Sequence, residues 1–167
     1  IHGLYDMLGI DFEANKEKIW HAYGDWKKQA KIQLFEGMKD VIQHIYEQSR
    51  PHEGRSQGLR ICLNTTNKFS IIQQTYSANG LEKYFDTAVT RDILPEDKTA
   101  ILTKPHAYSI EWCLDLLGCN PNETLSVGDT GTDIVACRTL RRRNPDKTQS
   151  VKTVAVTWGY ETKEELE

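Results

Sequence analysis

Short apolar runs alternating with helix-length segments constrain this chain more than any other feature. Residues 59–65, 87–90, 124–127 and 153–157 are brief, apolar and rich in β-branched side chains. Between them, 68–79, 105–117 and 131–142 read as helices of about a dozen residues each. Strands that alternate with helices predict a parallel sheet with helices on both faces. Runs without a polar alternation predict strands buried from both sides. Local punctuation agrees: Asn79-Gly80 and Gly118 are helix-end signals, and Pro105 is expected at a helix start. Ahead of the first strand, 13–34 repeats Ile19, Trp20, Tyr23, Trp26, Ala30 and Leu34 at helical steps. A second helix is expected over 37–49, opened by Gly37, with Met38, Val41, Ile42 and Ile45 as its apolar face. The segment 49–58, with Pro51, Gly54, Ser56 and Gly58, reads as a polar loop.

A chain of 167 residues with 38% hydrophobic side chains can bury one core with a small appendage. It carries no run long and apolar enough for a membrane helix. A formal charge of −3 gives no electrostatic case for binding nucleic acid or a membrane surface. Cys62, Cys113, Cys119 and Cys137 form no CxxC pair, so each reads as a small core residue in a reducing, cytoplasmic setting. The five histidines are scattered, and no zinc site is expected. The chain opens Ile1-His2-Gly3, with neither an initiator methionine nor a secretory signal, so it is expected to begin inside a longer protein.

Ligands of parallel sheets bind beyond the carboxyl ends of the strands. Three polar groups stand there. The first is Thr65-Thr66-Asn67-Lys68, where a hydroxyl and helix-start N–H groups could hold an anion. Taken alone, Thr66 or Asn67 reads more simply as a helix cap. The second is Lys104-Pro105, a lysine at the expected positive end of a helix, against its dipole preference. A lone lysine there would ordinarily be solvated. The third is Ser126-Val127-Gly128-Asp129-Thr130-Gly131-Thr132-Asp133. Here two carboxylates straddle a strand-to-helix turn, and hard oxygen ligands at that place suit Mg²⁺. Alternatively, Asp129 or Thr130 could cap the helix, with Asp133 in its favourable first turn.

In combination and order these elements resemble the haloacid dehalogenase-like hydrolase superfamily, and more narrowly its phosphoglycolate-phosphatase-like group. The matching residues are Thr66-Asn67-Lys68, Lys104-Pro105, the GDxxxD of Gly128, Asp129 and Asp133, and Thr157-Trp158-Gly159-Tyr160. The resemblance covers most of 35–160. It implies an α/β, Rossmann-like parallel sheet with helices on both faces, spanning 35–167, and part of an N-terminal helical cap, 1–34. It implies Mg²⁺-dependent hydrolysis of a small phosphorylated metabolite through an aspartyl-phosphate. Thr66 and the Asn67 N–H would hold a phosphoryl oxygen, and Lys104 would neutralise charge. Asp129 would ligate Mg²⁺, and Asp133 would support the metal or its waters.

The chain departs from this family in one main respect. The DxDGT motif that supplies the nucleophile is absent, and Asp6 has neither the preceding apolar strand nor the second aspartate. The core is therefore expected to lack its first, central strand, to need a segment or another chain in that lane, and to be inactive by itself. Asn64-Thr65 replaces an apolar pair, and the run Arg141 to Lys147 extends a usual tight turn; its arginines read as dipole-complementing, solvated residues. Trp20, Tyr23 and Trp26 read as packing residues of the cap, or else as a grip on the leaving group. Two alternatives stay open: a non-catalytic binding or structural module, and a dehalogenase, against which Lys104 and the two aspartates argue, because a dehalogenase needs no Mg²⁺.

Overall fold

The structure, a computed structural model, describes residues 5, 7–29, 33–49, 58–95, 98–143 and 150–166. The chain divides into two units, Ile1–Phe35 and Glu36–Glu167. Asp6, most of the 49–58 loop, the side chains of 141–143 and residues 144–149 of the basic run lie outside the described set.

The first unit is built on α1, Phe12–Gln29. Asp11 Oδ1 accepts the Ala14 N–H at 2.9 Å, so an aspartate caps its start. Its aromatic residues contact one another in sequence: Phe12 meets Trp20 edge-on, Trp20 meets Tyr23, and Tyr23 stacks on Trp26 at 5.9 Å. Trp20, Tyr23 and Trp26 are nevertheless exposed.

The second unit runs α2 (Met38–Gln48), β1 (Cys62–Asn64), α3 (Phe69–Asn79), β2 (Thr87–Val89), α4 (Thr99–Leu102), α5 (Tyr108–Leu117), β3 (Leu125–Gly128), α6 (Gly131–Arg143), β4 (Lys152–Ala155) and α7 (Lys163–Leu166). Helices α3 and α5 end on left-handed Gly80 and Gly118, as their sequence signals require. Three of the strands, β1, β2 and β4, are shorter than expected, and β3 keeps its length one residue further along. The β1 run of 59–65 contracts to Cys62–Asn64, with Thr65 still donating its N–H to Val89 O. Pro105 does not begin α5. The Lys104–Pro105 peptide is cis, and the helix starts three residues later, after Ala107.

Among the described residues the strands form two separate parallel pairs. β1 pairs with β2, Cys62 opposite Thr87, and β3 pairs with β4, Leu125 opposite Lys152. The two pairs are joined through helices: α5 packs on β1 and β2, α6 packs on β3 and β4, and α5 packs on α6. Their contact is the core, formed by Ala107, Ile110, Leu114, Ala136, Cys137 and Leu140, closed by Val151. The expected burial of every strand from both sides is not met. Leu125 and Val127 of β3 remain 57% and 58% exposed, because α6 covers that strand from one side only. The apolar face of α2 is also not buried as expected. Val41 and Ile45 are exposed, while Tyr46 packs edge-on against Tyr84 and Gln43 accepts the Tyr84 hydroxyl. Among the described residues no helix is long and apolar enough to cross a membrane.

Candidate active site

The carboxyl ends of β1 and β3 carry the expected polar groups, and one buried ion pair links them. Lys104 Nζ donates to Asp133 Oδ1 at 2.6 Å, with side chains 11% and 12% exposed. The same ammonium donates to Asn64 O at 3.4 Å, at the end of β1. Lys104 thus spans from the first strand pair to the helix that follows β3.

Asp133 has both oxygens engaged. Its Oδ2 accepts the Thr130 N–H at 3.2 Å and the Thr130 hydroxyl at 2.8 Å. Burial alone would push its carboxyl upward. The hydrogen bond and charge of Lys104, joined by the two Thr130 donors, hold it below the ordinary aspartate range. Gly128 exists for this arrangement: a Cβ there would sit 2.5 Å from Asp133 Cβ, a distance no side chain tolerates. The spacing of the GDxxxD signature therefore has a steric cause. One turn of helix brings the second aspartate back over the glycine.

Asp129 sits at the end of β3, partly buried. Its Oδ2 accepts the Tyr160 N–H at 3.0 Å, and its carbonyl accepts the Glu161 N–H at 3.3 Å. A Cβ on Gly159 would fall 2.2 Å from Asp129 Cβ, so the Trp158-Gly159-Tyr160 turn is moulded onto this aspartate. Glu161 then reaches back, and its Oε2 accepts the Gly131 N–H at 2.5 Å. A carboxylate at the first turn of α6 is favoured by the helix dipole.

At the end of β1 the details differ from the sequence expectation. Thr66 is exposed, as a ligand-binding hydroxyl requires. The Asn67 N–H, expected to serve a phosphoryl oxygen, is donated to Thr65 Oγ1 at 3.1 Å inside the turn. Neither Thr66 nor Asn67 caps α3. Lys68 is the cap residue, and the Phe69 N–H is accepted by Asp92 Oδ2 at 2.5 Å, from beyond β2. Of the four expected catalytic residues, Lys104 and Asp133 touch. Thr66 and Asp129 stand just beyond β1 and β3, and among the described residues neither makes a hydrogen bond to that pair.

Sequence reading missed Asn64, Thr130, Tyr160, Glu161 and Asp92. Thr130 carried a signal, lying inside the acidic motif, and Tyr160 closed a recognised one. Asn64 and Tyr160 act through main-chain atoms, which no residue type announces.

A family model described as haloacid dehalogenase-like hydrolase matches residues 3–142. The chain belongs to the haloacid dehalogenase-like hydrolase family. Within that family it is similar to a protein named pyrophosphatase PpaX from Bacillus cereus, 26% identical over 98% of this chain, and to its counterpart from Bacillus mycoides, 27% identical. The chain spans 66% of the length of both relatives. Among solved structures it is similar to a haloacid dehalogenase-like family hydrolase from Streptococcus pneumoniae. The TM-score is 0.65 and the identity 20%, over 93% of this chain and 61% of that one. A protein assigned as a phosphoglycolate phosphatase from Lactobacillus delbrueckii aligns with a TM-score of 0.63 at 18% identity, over 86% and 51% of the two chains. These likenesses establish the Rossmann-type α/β fold of the haloacid dehalogenase-like family.

The chemistry of the donors bears on the Mg²⁺ expectation. Mg²⁺ is commonly held by one or two carboxylates, with waters and substrate phosphate completing the shell. Asp129 fits that role, because among the described residues only one of its two carboxylate oxygens receives a protein hydrogen bond. Asp133 spends both oxygens on Lys104 and Thr130, which fits a support role rather than direct ligation. Among the described residues no three acidic, histidine or cysteine side chains are grouped to form a metal cage.

Proposed function

We propose that this chain forms most of a Mg²⁺-dependent phosphomonoester hydrolase acting on a small phosphorylated metabolite. The observation that carries the reading is the buried Lys104–Asp133 pair at the strand ends. A cation fixed against the Asn64 carbonyl, two residues before exposed Thr66, provides charge compensation, and Thr66 a hydroxyl donor, for a dianionic phosphate. The name of the curated relatives, a pyrophosphatase, supports a small phosphorylated substrate.

In this reading Asp133 is a positioning residue that fixes the ammonium, and the Asn64 carbonyl limits its swing. Thr66 donates its hydroxyl to a phosphoryl oxygen. The Asn67 N–H can join only if the turn releases it from Thr65 Oγ1. Asp129 holds Mg²⁺, which when bound neutralises phosphate charge and aligns the phosphorus for attack. Tyr160 and Gly159 hold Asp129 at the strand end.

The nucleophile is assigned to a carboxylate on a further strand, from a segment or chain beyond the residues described, seated between β1 and β3. Two facts support that lane: among the described residues β1 and β3 do not pair with each other, and Leu125 and Val127 lie exposed. The unit 1–34 is assigned as part of a helical cap.

The test is phosphate release by the full-length protein from a panel of phosphomonoesters and pyrophosphate, with Mg²⁺ and with chelator. Turnover that needs Mg²⁺ and survives on at least one substrate supports the reading. Binding without turnover across the panel would favour a non-catalytic module.

A further inference from the structure

The four cysteines do not share one environment. Cys137 lies in the core and Cys119 packs beside it. Cys62, on β1, and Cys113, on α5, are partly buried, and their Sγ atoms are 3.3 Å apart, sharing a hydrogen bond. They are 51 positions apart in the chain and meet only because α5 packs on β1. A disulfide holds its sulfurs about 2.05 Å apart. Closure therefore needs an approach of a little over 1 Å, a distance that side-chain rotation can cover.

We propose that Cys62 and Cys113 are a modification site, a thiol pair that hydrogen peroxide converts reversibly into a disulfide tying β1 to α5. Cys62 is the attacking sulfur. The contact with the Cys113 sulfur holds the Cys62 thiol below the ordinary range, outweighing the effect of burial, and the same contact pushes Cys113 up. The Cys62 thiolate attacks one peroxide oxygen, the O–O bond breaks, and the departing hydroxide takes up a proton to leave as water. Cys62 is then a sulfenic acid. The Cys113 sulfur attacks Cys62 Sγ, the S–O bond breaks, and hydroxide leaves with the Cys113 proton as a second water. The two sulfurs lose two electrons in all, and the peroxide gains them. Asn64, whose carbonyl receives Lys104, lies two residues beyond Cys62. The bond would fasten the strand leading to Thr66 to the helix following Lys104. The proposal does not depend on the catalytic reading.

The experiment exposes the folded full-length protein to hydrogen peroxide, alkylates the remaining thiols, and maps tryptic peptides by mass spectrometry. The expected product joins peptide 61–68, which carries Cys62, to peptide 99–138, which carries Cys113. Its mass is about 2 Da below the sum of the reduced pair, and dithiothreitol reverses it. Peptide 99–138 also contains Cys119 and Cys137, so variants assign the partner. The cross-link should survive Cys119→Ser and vanish in Cys62→Ser and Cys113→Ser, with Cys113→Ala as a second variant checked for folding by circular dichroism. Peroxide treatment that leaves Cys62 free, or takes it to the sulfinic acid without a cross-link, overturns the proposal. So does a cross-link that persists in a folded Cys113 variant.

Discussion

Lys104 Nζ lies 2.6 Å from Asp133 Oδ1, and protein covers nearly nine-tenths of both side chains. This contact joins a loop after the first strand pair to a helix after the third strand.

Replacing Lys104 with methionine leaves Asp133 buried with only the Thr130 donors. Breaking a buried pair on one side typically costs about 3–5 kcal/mol, because the remaining charge is uncompensated. The urea midpoint of the full-length protein should fall accordingly. The double variant Lys104→Met/Asp133→Leu should recover part of that loss. A single variant as stable as the parent would show the pair to be an incidental contact.

Asp133 also makes stability depend on pH. Its folded-state pKa lies below the unfolded value, so the unfolded chain binds more protons. The stabilisation is fully present above the ordinary aspartate value, about 4, and is lost as pH falls through the lowered folded value. The stability difference between parent and Asp133→Asn should therefore be large at neutral pH and shrink in acid. Denaturant titrations at both conditions measure it, and a difference that grew in acid would contradict the sign.

Gly128→Ala places a methyl group where Asp133 Cβ, Cγ and Oδ2 already lie within 2.6 Å. Overpacking of this kind typically costs about 1–3 kcal/mol. It should also push Asp133 away from Lys104, so turnover should drop further than a simple loss of stability would explain. Thermal unfolding and steady-state kinetics on the same preparation separate the two effects.

Asp129→Asn keeps the shape and removes the charge. The Tyr160 N–H can still be accepted by the amide oxygen, so unfolding should change little. Mg²⁺-dependent kcat of the full-length protein should fall by orders of magnitude, because a neutral amide holds the metal poorly. Unchanged Mg²⁺-dependent turnover would remove Asp129 from the metal role.

Gly159→Ala gives a contrast with Asp129→Asn. The added carbon would lie 2.2 Å from Asp129 Cβ, so it displaces the aspartate without altering its charge. The expected outcome is a weaker apparent Mg²⁺ affinity, read from the metal concentration giving half-maximal rate. An unaltered metal dependence would mean that the turn yields and Asp129 stays in place.

Much of this molecule was legible in the chain itself. The alternation of apolar runs and helical segments gave the α/β class. The ends of α3 and α5 were marked by Gly80 and Gly118, which adopt the left-handed conformation their positions demand. The acidic motif could be placed at the end of β3 from its own spacing. These are properties of neighbours along the chain: backbone preference, side-chain periodicity and the reach of one helical turn. Tertiary structure alone decided who meets whom. It gave Lys104, read as a neutraliser of phosphate charge, Asp133 as its partner, brought Asp92 rather than Thr66 or Asn67 to the first free N–H of α3, and set Cys62 against Cys113. It also left the strands in two pairs, with Leu125 and Val127 uncovered. Each of these contacts joins residues more than twenty positions apart. Its strength comes from burial and charge at the meeting point, so it does not exist until the helices have packed on the strands.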